Sequence, residues 1–420
     1  MVCVGRMDPV DLPGRTGRMG RPGARNRPLS DLPAPKGMPM AGLAPTRILQ
    51  VCSSLAWGGT EMHVPILSEK LRNRGHDVRL VLHPGGSIVR EARGRDIPTE
   101  TIRAGGYVNL ASTWALQRCI RRFRPGVIHL HLSRDLWQTV PAALLAGFDG
   151  PILLTKHVGS YVTKRDPLHR WLYRRVSRII TVSETLNRNV RETCPVPPDR
   201  VVTVHPALDM DRFDPARYDR EDTRRSLGIP VGAIVAGTVG RVSPGKGYEE
   251  FLQAARMLRD RHPDKPLRFL VVGSASYGEE AYHDGIVQYA RELDIAETVL
   301  FTGFRRDIPA LLKAMDVFIF PSRAEGFGAT VIEAMAMGVA CVSTRSDGTL
   351  DTVVEGETGL VFQGGDAEGL ARSVESLLTD ERLRERIAEN GYRQARERFN
   401  LDAMTDRVEA LYATSTVHPA

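Results

Sequence analysis

Pro321–Gly338, reading PSRAEGFGATVIEAMAMG, decides the fold. The apolar run Val317–Phe320 before it has the length and composition of a buried strand. A loop carrying Glu325, Gly326 and Gly328 follows, and then an apolar helical pattern over Ala329–Met337. A helix that is apolar nearly all round is buried. Glu333 sits in its middle, and a buried carboxylate is costly without a specific partner. Gly326 and Gly328 let a ligand approach the backbone, and the N–H groups of the first helical turn have no partners of their own. Strand, glycine loop and helix N-terminus together predict an anion site with one carboxylate in its loop and another in its helix.

The same half of the chain opens with a second loop of this kind, Gly237-Thr-Val-Gly240-Arg241-Val-Ser-Pro-Gly245-Lys246-Gly247. Gly240 and its neighbours permit close backbone approach. Arg241 can hold a phosphate through two parallel hydrogen bonds, and Lys246 adds a compact second charge. The spacing is not that of a Walker A loop. An ordinary basic turn is the bland alternative. For Glu325 it is a solvated loop residue, and for Glu333 a carboxylate satisfied by an internal Arg or by water.

Outward from these loops the chain alternates. Strand-like runs at Arg47–Cys52, Asp77–Leu82, Val127–Leu132, Ile152–Lys156, Arg178–Val182 and Val201–Val204 are separated by helical patterns, the first being Met62–Arg74. After a polar connector, Pro206–Pro230, the alternation restarts at Ala233–Thr238, Phe269–Val272, Val299–Phe301, Val317–Phe320, Val339–Ser343 and Leu360–Phe362. Helices are predicted over Glu368–Leu378, Asp380–Phe399 and Leu401–Ala413. This pattern predicts an α/β protein of two Rossmann-like, doubly wound domains facing one another across a cleft, with ligands at the carboxyl ends of the strands. The boundaries read as a disordered basic tail over 1–44, a first domain over 45–215, a second over 216–400 and a last helix in 401–420, for which packing back on the first domain is one placement. Initiation at Met38 or Met40 is the alternative reading of the tail.

Composition narrows the class. Apolar content of 42% and charged content of 25% are those of a soluble globular protein. The five cysteines are scattered without metal-ligand spacing, which argues for reduced thiols and a cytosolic setting. The tail has no secretory apolar core. Net charge is asymmetric: residues 45–225 hold 29 basic against 18 acidic residues, and residues 226–420 hold 21 against 29. Only the first half should therefore face an anionic partner.

GRVSPGKG, then PSRAEGFGATVIEAMAMG, then DGTLDTVVEGETGLVF resemble, in this order, the retaining glycosyltransferases of family 4, which have the GT-B fold. WGGTEMHVPILSEKLRNRGHDV is similar to that family's opening Gly-Gly turn and helix, and VVTVHPALDMDRF to its inter-domain segment. The resemblance covers about residues 46–400. It implies that Arg241 and Lys246 bind the donor diphosphate and stabilise charge on the leaving nucleotide. Glu333 would accept hydrogen bonds from the ribose hydroxyls and Glu325 would contact the transferred sugar. The backbone N–H groups of Phe327, Gly328 and Ala329 would lie near sugar or phosphate. Gly58 and Gly59 would let the first domain close onto the phosphates, and Arg305 lies where the family holds the base by main-chain contacts. His157, in LLTKHVGSY, matches the active-site histidine, a packed or solvated histidine being the bland alternative. No enzymatic nucleophile is implied and no cofactor is expected. Asp209-Met-Asp211 falls in the connector and is not read as a metal site, and the resemblance implies metal independence. The chain departs from the family at Asp347-Gly348-Thr349, where a Gly-Gly pair is common, and at Pro206-Ala207, where Asn-Gly is.

The acceptor side is predicted from charge. In Asp166–Arg178, Asp166 caps a helix with Pro at its first position. Leu168, Trp171, Leu172 and Val176 share a face at helical spacing, while Arg170, Arg174, Arg175 and Arg178 crowd the rest. Arg118, Arg121, Arg122 and Arg124 cluster near Trp114. Such surfaces dock on anionic membranes or cradle phosphorylated acceptors. An apolar stripe packed on its own domain is the alternative. Together these readings predict a cytoplasmic enzyme, peripheral on the inner face of the membrane, that moves a sugar from a nucleotide sugar to an envelope glycan or glycolipid. A nucleotide-sugar epimerase, a sugar phosphorylase and a non-catalytic nucleotide-binding module are the rivals. A nucleic-acid partner is not expected, because no aromatic-interleaved basic groove accompanies the glycine loops.

Overall fold

The computed structural model describes residues 44–55, 59–103, 109–160, 162–275, 278–323, 325–346 and 348–415. The tail read over 1–44 lies outside these except for Ala44, and Gly58 and Asp347 lie outside them too.

Seven strands make the first sheet: β1 (Arg47–Cys52), β2 (Asp77–Leu82), β3 (Thr99–Thr101), β4 (Val127–Leu130), β5 (Ile152–Lys156), β6 (Val176–Thr181) and β7 (Val201–Thr203). Six make the second: β8 (Ile234–Val239), β9 (Leu267–Val272), β10 (Val299–Phe301), β11 (Val317–Phe320), β12 (Ala340–Thr344) and β13 (Leu360–Phe362). The orders are β3-β2-β1-β4-β5-β6-β7 and β10-β9-β8-β11-β12-β13, and the pairs are parallel. Each sheet reverses its strand order once, between β1 and β4 and between β8 and β11. In doubly wound folds the crevice at that reversal is where ligands bind. The predicted α/β class, two Rossmann-like domains of the GT-B kind, is the one observed.

Parallel sheets are covered on both faces, so their central strands carry no polar side. β11 is buried along its whole length. Phe318 and Phe320 pack with Val331 and Met335 of the helix Ala329–Ala336 on one face. Val317 and Ile319 pack with Leu252 and Leu370 on the other. The connector is pinned to the end of the helix Glu381–Arg398 by the Leu208 N–H, which donates to the Phe399 carbonyl at 2.9 Å. The helix Leu401–Thr414 then crosses to the first sheet. There Met404, Val408 and Tyr412 join Ile48, Leu67 and Leu71 in one buried cluster. Arg74 fastens it by ion pairs to Asp406 and Glu409, each at 2.6 Å.

Two expectations need correction. β3 is an additional strand, three residues long and polar in sequence, which carries no periodic signal. The helix predicted across Asp166–Arg178 ends at Arg174, because Val176 already opens β6. Val176 and Arg178 therefore belong to the sheet.

Candidate active site

β8 delivers the chain into the loop 240–247, and neighbours hold that loop on both sides. The Gly240 N–H donates to the Val272 carbonyl at 2.9 Å and its own carbonyl accepts from Tyr248 Oη at 2.9 Å. The Gly245 carbonyl accepts from the Arg323 N–H at 3.0 Å, tying this loop to the one after β11. Gly247 has φ +74° and lies against the Pro321 carbonyl, where a Cβ would collide. No residue with a side chain fits there without moving one loop. The helix Tyr248–Arg261 starts immediately after it. Arg241 is exposed at the start of the loop.

At the end of the loop Lys246 Nζ makes an ion pair with Glu325 Oε1, which also accepts from Ser322 Oγ at 3.1 Å. Two side chains 79 residues apart in sequence thus meet at the carboxyl ends of adjacent strands. Gly328 sits at φ +78° as the residue capping Ala329–Ala336, so the N–H groups of that helix's first turn open toward the same rim. Phe327 points its ring away, stacked on His205 with centroids 5.5 Å apart and edge-on to Phe399 at 5.7 Å. Only its backbone remains for a ligand. Glu333, one turn along that helix, makes no side-chain hydrogen bond among the described residues. Burial pushes its carboxyl up to about 7, with the Arg212 charge pulling the other way.

The two lobes touch at the glycine loop. A Cβ on Gly326 would stand 2.6 Å from the carbonyl oxygen of His157. Asp351 of the second lobe accepts from the Glu184 N–H at 2.6 Å and lies 3.3 Å from His205 Nε2. His157 therefore faces the loop that carries Glu325. Its ring lies among three more histidines: 5.4 Å from His63 and 6.0 Å from His131, which is 4.4 Å from His129. Burial, joined at His129, His131 and His157 by neighbouring rings, lowers all four below the usual imidazole value. His63 falls to about 4 and His129 to about 3, and all are neutral at pH 7. His129 is satisfied by Tyr412 Oη at 2.8 Å and Thr155 Oγ1 at 2.7 Å. His131 Nε2 meets Gln50 Oε1 at 2.9 Å, while His131 Nδ1 and His157 Nε2 are buried without a partner among the described residues. Sequence reasoning missed His63, His129 and His131. His129 and His131, two apart on and just after β4, had to project to one face, and that was the available signal.

The remaining predicted residues fall as follows. Gly59 opens the helix Gly59–Asn73, while Gly58 lies outside the described residues. Arg305 grips Asp307 with Nε at 2.8 Å from Oδ1, and its neighbour Phe304 is exposed. Arg170, Trp171 and Arg174 are exposed on the helix Pro167–Arg174. Arg175 is not part of that surface: it is buried, and its Nη2 donates to the Phe148 carbonyl at 2.9 Å. Arg178 lies half-buried in β6 with Nη1 on the Ser177 carbonyl at 3.0 Å. The single apolar face predicted for this helix also splits, since Leu172 is buried while Leu168 and Trp171 are exposed. Among the described residues no three His, Cys, Asp or Glu side chains are grouped so as to hold a metal ion, and no helix is long and apolar enough to cross a membrane.

Comparison with known proteins shows the family. Residues 57–212 match the family model described as Glycosyltransferase Family 4, and residues 219–394 match that of the Glycosyl transferases group 1. The D-inositol 3-phosphate glycosyltransferase of Corynebacterium aurimucosum is 34% identical over 368 residues, 80% of each chain. The 2-deoxystreptamine N-acetyl-D-glucosaminyltransferase of Streptomyces fradiae is 30% identical over 79% of this chain and 86% of its own. The match to the D-inositol 3-phosphate glycosyltransferase of Corynebacterium urealyticum, 34% identical, spans about half of that relative, 52%. Among solved structures, an Anabaena protein crystallised with UDP and glucose superposes with a TM-score of 0.76 at 21% identity, over 88% of this chain and 100% of the other. A glycosyltransferase from Rickettsia africae gives 0.79 at 22%, over 88% and 98%.

Proposed function

Because the chain belongs to glycosyltransferase family 4 and has the GT-B fold, we propose that it transfers a sugar from a nucleotide diphosphate sugar with retention of configuration. The observation that carries this reading is the meeting of Lys246 and Glu325 beside Arg241, on a rim that abuts His157 across Gly326. In the reading, the donor diphosphate displaces Glu325 as the partner of Lys246 and takes a forked contact from Arg241. The two cations, preorganised on one loop, hold charge that grows on the leaving phosphate. Glu325, so released, accepts hydrogen bonds from the sugar being moved.

Glu333 takes the ribose hydroxyls in this scheme, and Arg305 lies by the base. The backbone N–H groups of Phe327, Gly328 and Ala329 reach sugar or phosphate, and Gly58 and Gly59 close from the first lobe. Neutral His157, whose buried Nε2 has no partner among the described residues, orients a sugar hydroxyl in this scheme. The acceptor loses its proton to the departing phosphate on the same face, so no side chain serves as nucleophile, and no metal ion or cofactor is required.

We further propose that the acceptor is an envelope glycan or glycolipid met at the inner face of the cytoplasmic membrane. Support comes from exposed Leu110 and Trp114 next to Arg118 and Arg121 on one helix, and from Arg170, Trp171 and Arg174 on another. A second reading keeps the donor and replaces the acceptor by a small cyclitol, as the names of the relatives suggest. Thermal shift against a panel of nucleotide sugars, then label transfer to lipid-linked and to cyclitol acceptors, tests both. If no nucleotide sugar raises the melting temperature and none is consumed, the sugar-transfer reading fails.

A further inference from the structure

We propose that Arg323 and Glu250 are positioning residues, whose ion pair locks the loops of Lys246 and Glu325 in register while the donor parts those two side chains. The donor's role here rests on the sugar-transfer reading above; the lock itself does not. Glu250 is the third residue of the helix Tyr248–Arg261, which begins where the loop 240–247 ends. Arg323 stands two residues before Glu325 in the loop after β11. Its Nε donates to Glu250 Oε1 at 2.7 Å, and its Nη2 closes on the same oxygen. Its backbone N–H donates to the carbonyl of Gly245, the neighbour of Lys246, at 3.0 Å. One residue thus ties the two loops together through main chain and side chain at once.

The carboxylate in this pair is expensive where it stands. Glu250 is only 3% exposed, and its Oε2 is buried without a partner among the described residues. The forked guanidinium on its other oxygen is what offsets the desolvation. The loop after β13 closes over it, since a Cβ on Gly365 would stand 3.9 Å from Glu250 Oε1. A buried pair of this kind contributes little stability over apolar groups of the same size, and its better use is to fix a register. The register matters because Lys246 and Glu325 are joined in the free protein by their own ion pair. In the sugar-transfer reading the diphosphate takes Lys246 from Glu325, so that tie is lost just when the cation must stay in place. The Arg323–Glu250 pair takes no part in the exchange and outlasts it. A displacement of about 1 Å in a positioned group is enough to cost orders of magnitude in rate.

The test is a double-mutant cycle in the full-length chain. Arg323→Ala should lower kcat about tenfold while KM for the donor changes less than about threefold, the pattern of a misplaced group. Glu250→Met, which fills the same space without an acceptor, should do the same. Arg323→Lys, which keeps the charge without the fork, should recover part of the loss. In a Lys246→Ala background each change should cost less than about twofold, because the side chain being positioned is gone. A lobe merely loosened would lose the same factor in both backgrounds, and that result overturns the proposal. So does full turnover in Glu250→Met beside a defective Arg323→Ala, which would mean that the guanidinium acts alone. Should Glu250→Met fail to fold, Arg323→Ala decides, since that side chain is 55% exposed. Hydrogen exchange reads the lock without substrate: amides of 240–247 should exchange at least about tenfold faster in Arg323→Ala than in wild type. Unchanged exchange there overturns the lock. A chain inert to every nucleotide sugar in which this exchange quickens keeps the lock and loses the sugar-transfer reading. A chain that transfers sugar but loses the same factor in both backgrounds keeps that reading and loses the lock.

Discussion

The two rims that face each other across the cleft are built on opposite electrostatic plans. The rim of the second lobe carries full charges, and two of them, Lys246 and Glu325, neutralise one another. The first lobe meets it with His157, backed by His63 and the fully buried His129 and His131; all four imidazoles are held uncharged by burial, and two have a ring nitrogen without a partner among the described residues. A charged rim suits a diphosphate whose charge changes as a bond breaks. A neutral, hydrogen-bonding rim suits hydroxyl groups whose charge does not. The electrostatic contrast is there before any ligand is placed, and each half of it can be attacked separately.

The largest effect should come from the charged rim. Arg241→Ala or Lys246→Ala is expected to lower turnover by about 10²–10³-fold, the usual cost of removing one preorganised stabilising group. Steady-state kinetics with the donor check this, and a change confined to KM with full turnover would sink the transition-state role.

Next in size is acid stability, which belongs to the neutral rim. A histidine whose folded value is depressed binds fewer protons folded than unfolded, so its stabilising share is present above about 6.5 and is lost as pH falls toward the folded value. His129 and His131, both fully buried, should each forfeit about 2 kcal/mol between pH 6.5 and 5. Denaturant midpoints at the two pH values measure it. A flat profile would mean that these rings are charged in the folded protein and that the contrast between the rims is wrong.

A smaller effect tests Glu333. Its carboxyl, raised by burial to about 7, must ionise fully to accept from ribose hydroxyls. Nucleotide binding should therefore release protons near pH 7 and tighten as pH rises from 6 to 8. Glu333→Ala should weaken it about tenfold with turnover at saturation little changed. Calorimetry showing the same affinity and no proton release in both proteins refutes the assignment. The smallest expected effect is none: EDTA should leave turnover within about twofold, since Arg241 and Lys246 already place on the diphosphate the positive charge that a metal would bring. A requirement for added magnesium or manganese would show that the charged rim is incomplete as described.

What could be read from the sequence divides along the same line. Glycines and lone charges interrupting apolar runs announced the second lobe's rim, because Gly247 and Gly328 stand where φ is positive, and at Gly247 a Cβ would also collide with the Pro321 carbonyl. The neutral rim gave little warning, since a histidine inside a strand or helix looks like any other core residue until its neighbours are known. Only the two-residue spacing of His129 and His131 could have exposed it. Arg175 was misread because helical periodicity was carried one turn too far, past Arg174, into residues that pair as β6. β3 escaped because three residues are too few for any period to register.

The path of the last helix has a practical consequence. Met404, Val408 and Tyr412 cover Ile48, Leu67 and Leu71, although they follow the whole second lobe in the chain. A bench scientist cutting at the connector to express the halves would obtain an N-terminal fragment with a greasy gash and His129 stripped of its phenol. Any workable dissection must splice residues 401–414 onto that fragment. During synthesis, too, the piece emerging first from the ribosome must wait for the final stretch before its core is sealed.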